Sequence, residues 1–192
     1  MYKNKKCFTL TIGCILTFVI TGCTSFEHYK NPDAAAEETE CKYDSFNDNV
    51  TCTMPEIGTC SDGREANFSF GKCPFPSSHV YLRVAYNNSS KMALYVINGY
   101  VRSNGWNYPY KVLDNSGKNF SFDKQTSKVD YCYSGNCVTK EYFSISIDRG
   151  YIRRHIRDGI NMKIDGKGGG CLTTIPAEYV QGFEKVLRSE GL

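Results

Sequence analysis

A mainly β fold is predicted for this chain: an antiparallel sheet or sandwich with one or two short C-terminal helices, or an α+β arrangement of the same elements. Three observations predict it. Between residues 79 and 147, apolar and polar residues alternate in short runs separated by Asn-, Ser- and Gly-rich turns, which is the period of half-buried strands. Aromatic residues are abundant, with 14 Tyr and 11 Phe, and such side chains favour a pleated surface. Helical spacing is confined to the segment after Asp148. No fixed period recurs along the chain, which excludes a solenoid or propeller.

The N-terminus has its own logic. Lys3, Lys5 and Lys6 precede an uncharged apolar run from Cys7 to Ile20. That run is shorter than the roughly 20 residues a membrane-spanning helix needs. A basic head, a short apolar middle and small residues after it make a secretory signal peptide. The run ends Ile20-Thr21-Gly22-Cys23, which resembles the lipobox of bacterial lipoproteins. The resemblance covers only this region. It implies cleavage after Gly22, a diacylglycerol thioether on Cys23 and acylation of the new amine. Several acyl chains hold a protein on a bilayer where one gives only marginal binding. In Gram-negative members of the class an aspartate after the cysteine favours the inner membrane. Thr24 stands there, so the expected location is the cell envelope, with the outer membrane favoured.

Removing residues 1–22 leaves 170 of the 192 residues, enough for one domain. Three of the 23 Lys and Arg precede the cleavage point and none of the 20 acidic residues does, so the mature chain has 20 of each sign. That balance excludes general nucleic-acid binding, which needs a basic face. Residues 23–40 are polar and acidic with little to bury, and are expected to be a flexible tether. Residues 41–192 form the expected single domain, of which 41–76 is a Cys-rich lobe held mainly by cross-links.

Seven cysteines follow Cys23: Cys41, Cys52, Cys60, Cys73, Cys132, Cys137 and Cys171. In an exported chain they are disulfide candidates, and an odd number leaves at least one unpaired. The pair best placed is Cys132 with Cys137, facing each other across a hairpin whose turn is Ser134-Gly135-Asn136. Cys41, Cys52, Cys60 and Cys73 are expected to add a bridge or two, with partners that spacing does not give. Zinc ligands usually come in pairs two to four residues apart; these spacings are wide, and no metal is expected.

Further along, His79–Tyr86 and Met92–Val101 read as a hairpin around Asn87-Asn88-Ser89-Ser90. Strands are expected at Tyr108–Leu113, Asn119–Phe122, Val129–Tyr133 and Val138–Ile147. Asp148 is a plausible N-cap for a helix closing at Gly159. Asn161–Ile164 and Cys171–Ile175 pair around Gly166-Lys167-Gly168-Gly169-Gly170, and Pro176 opens a final helix whose Tyr179, Val180, Phe183, Val186 and Leu187 share a face.

Candidate chemistry is sparse. The glycine-rich turn lacks the order of a phosphate-binding loop. Cys171 with His155 is a weak nucleophile and base pair, and no serine-hydrolase elbow or zinc-protease helix is present. No cofactor is expected. Possible binding residues are Trp106, Tyr108 and Tyr110, in an aromatic loop suited to protein or glycan contacts, and Arg149, Arg153 and Arg157, spaced by four as a stripe for an anion. The expected function is a non-enzymatic, membrane-anchored interaction or structural module whose partner is another envelope protein. A glycan- or anion-binding module is the alternative, and an envelope enzyme comes third.

Overall fold

The computed structural model describes residues 31–60 and 76–192. Cys23, the signal peptide and Cys73 lie outside the described residues, as does the Cys60 side chain. In order, the elements are α1 (Pro32–Glu37), β1 (Glu40–Asp44), β2 (Asn49–Thr53), β3 (Ile57–Cys60), β4 (Ser77–Asn87), β5 (Met92–Asn104) and β6 (Pro109–Asp114). They continue as β7 (Phe122–Tyr133), β8 (Asn136–Ile147), α2 (Arg149–Arg154), β9 (Ile160–Gly166), β10 (Gly169–Ile175) and α3 (Ala177–Ser189). The fold is mainly antiparallel β with a C-terminal helix, as the sequence predicts.

The larger sheet runs β1-β2-β4-β5-β8-β7, and β3 joins the same edge of β4 as β2. β2 and β3 are one interrupted strand. Met54 N–H still donates to Leu82 O at 2.9 Å, but Pro55 has no N–H to give, and pairing resumes at Ile57 opposite Val80. The smaller sheet, β10-β9-β6, packs against the inner face of the larger one. Alternation decides what lies between them. Val80, Leu82 and Val84 of β4, Ile97 and Val101 of β5, and Phe143 and Ile145 of β8 all point inward and are buried. They meet Ile160, Met162 and Ile164 of β9 and Ile175 of β10 in one continuous core.

α3 seals the open part of that core. Tyr179, Val180, Phe183 and Leu187 are fully buried, each contributing about 1.5–3 kcal/mol of transfer free energy. Tyr179 also donates its hydroxyl to Pro55 O at 2.6 Å, which pins the helix to the β2–β3 interruption.

Four expectations change. Residues 32–37 are not tether: they form α1, capped by the Asn31 side chain, with Ala35 fully buried. Gly182 makes this contact feasible, because a Cβ there would lie 2.7 Å from Pro32 O and 2.8 Å from the Ala35 Cβ. Residues 41–60 are not held mainly by cross-links, since β1, β2 and β3 extend the main sheet through strand pairing. The two strands expected at 119–122 and 129–133 are replaced by a single β7. It starts at Phe122 and takes up its extra residues as register shifts between Lys124 and Ser127 and between Val129 and Tyr131. Finally, the helix opened by Asp148 ends at Arg154. The chain must then turn at Gly159, whose φ of +69° and approach to Ile175 O leave no room for a Cβ.

The cysteines partly resolve. Cys132 bonds Cys137 across a hairpin whose turn is Ser134-Gly135, both at positive φ, as a tight hairpin of right-handed twist requires. Cys41 bonds Cys52, its direct register partner. Cys171 is free and buried. No helix among the described residues is long and apolar enough to cross a membrane.

Candidate functional site

β5 ends at Asn104 and β6 begins at Pro109, and the loop between them carries the predicted aromatics. Its backbone is held at nearly every residue. Gly105 N–H donates to Cys137 O at 2.8 Å, and Gly105 O accepts from Ser103 Oγ at 2.8 Å and Thr139 Oγ1 at 2.7 Å. Gly168 N–H donates to Asn107 O at 3.1 Å.

The central support is Glu141. Strand alternation from Phe143 places this carboxylate on the inner face of β8, where it is fully buried. Its Oε2 accepts from Asn107 N at 2.6 Å, and both oxygens accept from Tyr108 N, at 3.1 and 3.0 Å. Lys124 Nζ lies 3.9 Å away. Backbone N–H groups on a buried carboxylate make charge-assisted bonds, stronger than neutral ones. They hold Tyr108 at φ +50°, a conformation sparsely used by non-glycine residues. The Asn107 side chain is buried with its amide unpaired, wedged where Gly166 and Gly168 have no side chain.

The rings themselves stay out in solvent: Trp106 is 41% exposed, Tyr108 46% and Tyr110 62%. Trp106 and Tyr108 lie 6.4 Å apart between centroids, and Lys124 and Lys167 lie 5.4 and 5.7 Å from the Tyr108 centroid. The structure therefore sets Trp106 and Tyr108 side by side on a braced loop, with two lysines near the Tyr108 ring, and leaves Tyr110 exposed on β6.

The arginine stripe is different. Arg149 Nη2 and Arg153 Nε each lie 3.3 Å from Glu184 Oε1, as does Arg188 Nε, and Arg149 also donates to Leu192 O. Burial pushes the Glu184 carboxyl up, but Arg149, then Arg188 and Arg153, outweigh it and hold it below the ordinary range. Arg157 lies beyond the end of α2, so the spacing of four does not carry it onto the shared face. The stripe is an intramolecular ion-pair cluster around one carboxylate.

Cys171 and His155 are not partners either. Cys171 is buried among Ser78 and Thr173, and burial pushes its thiol up to about 12. His155 Nδ1 pairs with Tyr151 O at 2.8 Å. A nucleophilic thiol needs the opposite surroundings. Among the described residues, no group of three His, Cys, Asp or Glu is placed to hold a metal.

Sequence reasoning missed a second concave surface on the outer face of the larger sheet. There His79, Tyr100 and Tyr142 of β4, β5 and β8 form a cross-strand ladder, with centroids 4.6 and 5.2 Å apart. Glu56, from the β2–β3 interruption, accepts from Tyr100 Oη at 3.0 Å and pairs with His79 Nδ1 at 3.0 Å. Burial raises the Glu56 carboxyl, yet His79 and then Tyr100 bring it below its usual value. The available signal was tyrosine at positions that alternation assigns to the solvent side, as with Tyr142 before Ser144 and Ser146. No family model matches the chain, and neither a curated protein nor a solved structure gives a match.

Proposed function

We propose that the chain is a lipid-anchored, non-enzymatic module of the bacterial envelope that docks on another envelope protein through its Trp106–Tyr110 surface. The observation that carries this is the bracing of the loop by Glu141. Exposed aromatics on a mobile loop lose rotamer and backbone freedom on binding; here the backbone part of that ordering is already in place. Tyr and Trp are also the residues most enriched among binding hot spots. The disulfides Cys41–Cys52 and Cys132–Cys137 fit an oxidising compartment, in keeping with the signal peptide and Cys23 as lipid attachment site.

Placement supports the same reading. In the β5–β8 register, Asn104 pairs Val138 at one end and Tyr95 pairs Ile147 at the other, about 30 Å apart at the rise of a strand. α2, and the α3 helix it contacts through Glu184, sit at the Ile147 end. α1 and the start of the described chain pack on that helix. The aromatic loop lies at the far end from Asn31, where the described chain starts.

Two measurements test this on the full chain in its own membranes. Mass spectrometry of the mature protein should find diacylglycerol on Cys23; a freely soluble product without fatty acid overturns the anchoring. A photoreactive residue replacing Tyr110 should yield one discrete protein adduct that Trp106→Ala diminishes at least about tenfold, a loss of about 1.4 kcal/mol. Diffuse labelling, or an adduct indifferent to Trp106, overturns the docking role.

A further inference from the structure

β7 does not lie flat against β8. Its register slips between Lys124 and Ser127, and the displaced Gln125 and Thr126 form one wall of a trough of about 580 Å³ across the outer face of the larger sheet. Glu56, Tyr81 and Arg83 form the opposite side, and Asn98, Tyr100 and Tyr142 lie along the floor. The volume falls within the range of about 300–1,000 Å³ typical of small-ligand sites.

The lining selects among ligand chemistries. Tyr81 and Tyr142 are the part-exposed rings, set beside planar polar groups, a guanidinium at Arg83, a carboxylate at Glu56 and amides at Asn98 and Gln125, with Ala85, Leu94 and Val96 adding apolar surface. Tyr100 is buried beneath them, stacked on His79 and bonded to Glu56. Arg83, Asn98 and Ser144 make no side-chain hydrogen bond to any described residue, so their donors and acceptors are free for a ligand. The nearby lysines are already placed over rings, Lys140 at 5.0 Å from the Tyr100 centroid and Lys128 at 5.4 Å from that of Tyr142. Among the described lining residues, a highly charged phosphate ligand would meet the Arg83 guanidinium and the Glu56 carboxylate. An extended peptide finds no backbone to pair with, because β4, β5 and β8 are interior strands with both edges bonded. A wholly apolar ligand would strand the polar groups.

We propose that this trough is a saccharide-binding site. A pyranose ring has one face of C–H bonds, which suits the electron-rich face of tyrosine, and a rim of hydroxyls. Guanidinium, carboxylate and amide groups each meet two neighbouring hydroxyls at once through paired donors or acceptors. This site is independent of the docking loop and stands or falls separately.

The test uses the full chain in detergent micelles and two probes, the neutral chitotetraose and the acidic tetragalacturonate, followed by titration calorimetry. At least one should bind saturably, weakened about tenfold or more by both Arg83→Gln and Tyr142→Ala. Both positions are at least partly exposed, and unchanged far-ultraviolet circular dichroism verifies that each variant folds. A preference for the acidic probe that falls with added salt assigns the charge recognition to Arg83; preference for the neutral probe assigns the site to hydroxyl recognition. Failure of both probes to bind the wild-type chain, or binding that neither substitution affects, overturns the proposal.

Discussion

At position 141 a carboxylate sits fully buried with its acceptors turned towards two backbone N–H groups of the Trp106 loop. Glutamine at this site keeps the shape but turns an N–H₂ group towards donors. Glu141→Gln is therefore expected to cost about 1.5–3 kcal/mol, the worth of bonds to a charged acceptor. A lowered urea midpoint, accompanied by a change in the emission of the single Trp106, checks this. Cys171 gives a second outcome. Burial pushes its thiol up to about 12, so the thiolate is scarce at neutral pH. Maleimide should leave the Cys171 peptide unlabelled in the native protein and label it fully in denaturant. The Glu141 role was half legible in the sequence: alternation back from Phe143 puts it inside the sheet. Its partners were not, because they lie more than thirty residues away and depend on how β6 leaves β5. The opposite happened with Arg149 and Arg153. Their spacing showed a shared face correctly, but not that Glu184 on another helix occupies it.

Among the elements, α1 and α3 meet through the missing side chain of Gly182. Gly182→Ala gains about 1 kcal/mol of helix propensity but forces a Cβ against Pro32 O and Ala35, at 2.7 and 2.8 Å. Overpacking of this kind costs about 1–3 kcal/mol, and backbone forms part of the obstacle, so the cost wins. The melting temperature should fall, and protease should cut more readily around residues 31–38. The two disulfides should also differ. Cys41–Cys52 closes a loop of sequence separation 11 and Cys132–Cys137 one of 5, which on chain entropy makes them worth about 3 and about 2 kcal/mol. Paired serine substitutions, compared by urea titration, should rank in that order. The hairpin bridge was visible in the sequence because its turn is local. The register of Cys41 with Cys52 was not, because β1 is exposed along its whole length and offers no alternation to read. The same lack of burial hid α1: three alanines and two acids look unstructured until α3, far along the chain, supplies a surface.

For the whole molecule, folding in acid depends on carboxylates held below their ordinary range. Glu184, Glu56 and Asp114 are all held below the ordinary carboxyl range, in each case because ion pairs or hydrogen bonds outweigh the upward push of burial. Folded values below unfolded ones mean stability that is complete above about pH 5 and is lost as pH falls through the folded values. Chemical denaturation at pH 7, 5 and 3 should show little change over the first step and a clear fall over the second. Neutralising Glu184 by Glu184→Gln should flatten part of that fall. At this scale the fold class was legible from period and turns alone, whereas the division into two sheets was not, since pairing partners leave no mark on a single sequence. The contact of α1 with α3 also sets how the molecule bears mechanical load. Tension applied ahead of Asn31 first peels away one six-residue helix, and then unzips β1 from β2 only as far as the covalent Cys41–Cys52 link. The bridge takes residues 42–51 out of the load path and hands tension from Cys41 straight to Cys52, whose strand is bonded to β4 opposite Val84, so drag on the chain's leading end is borne by the larger sheet.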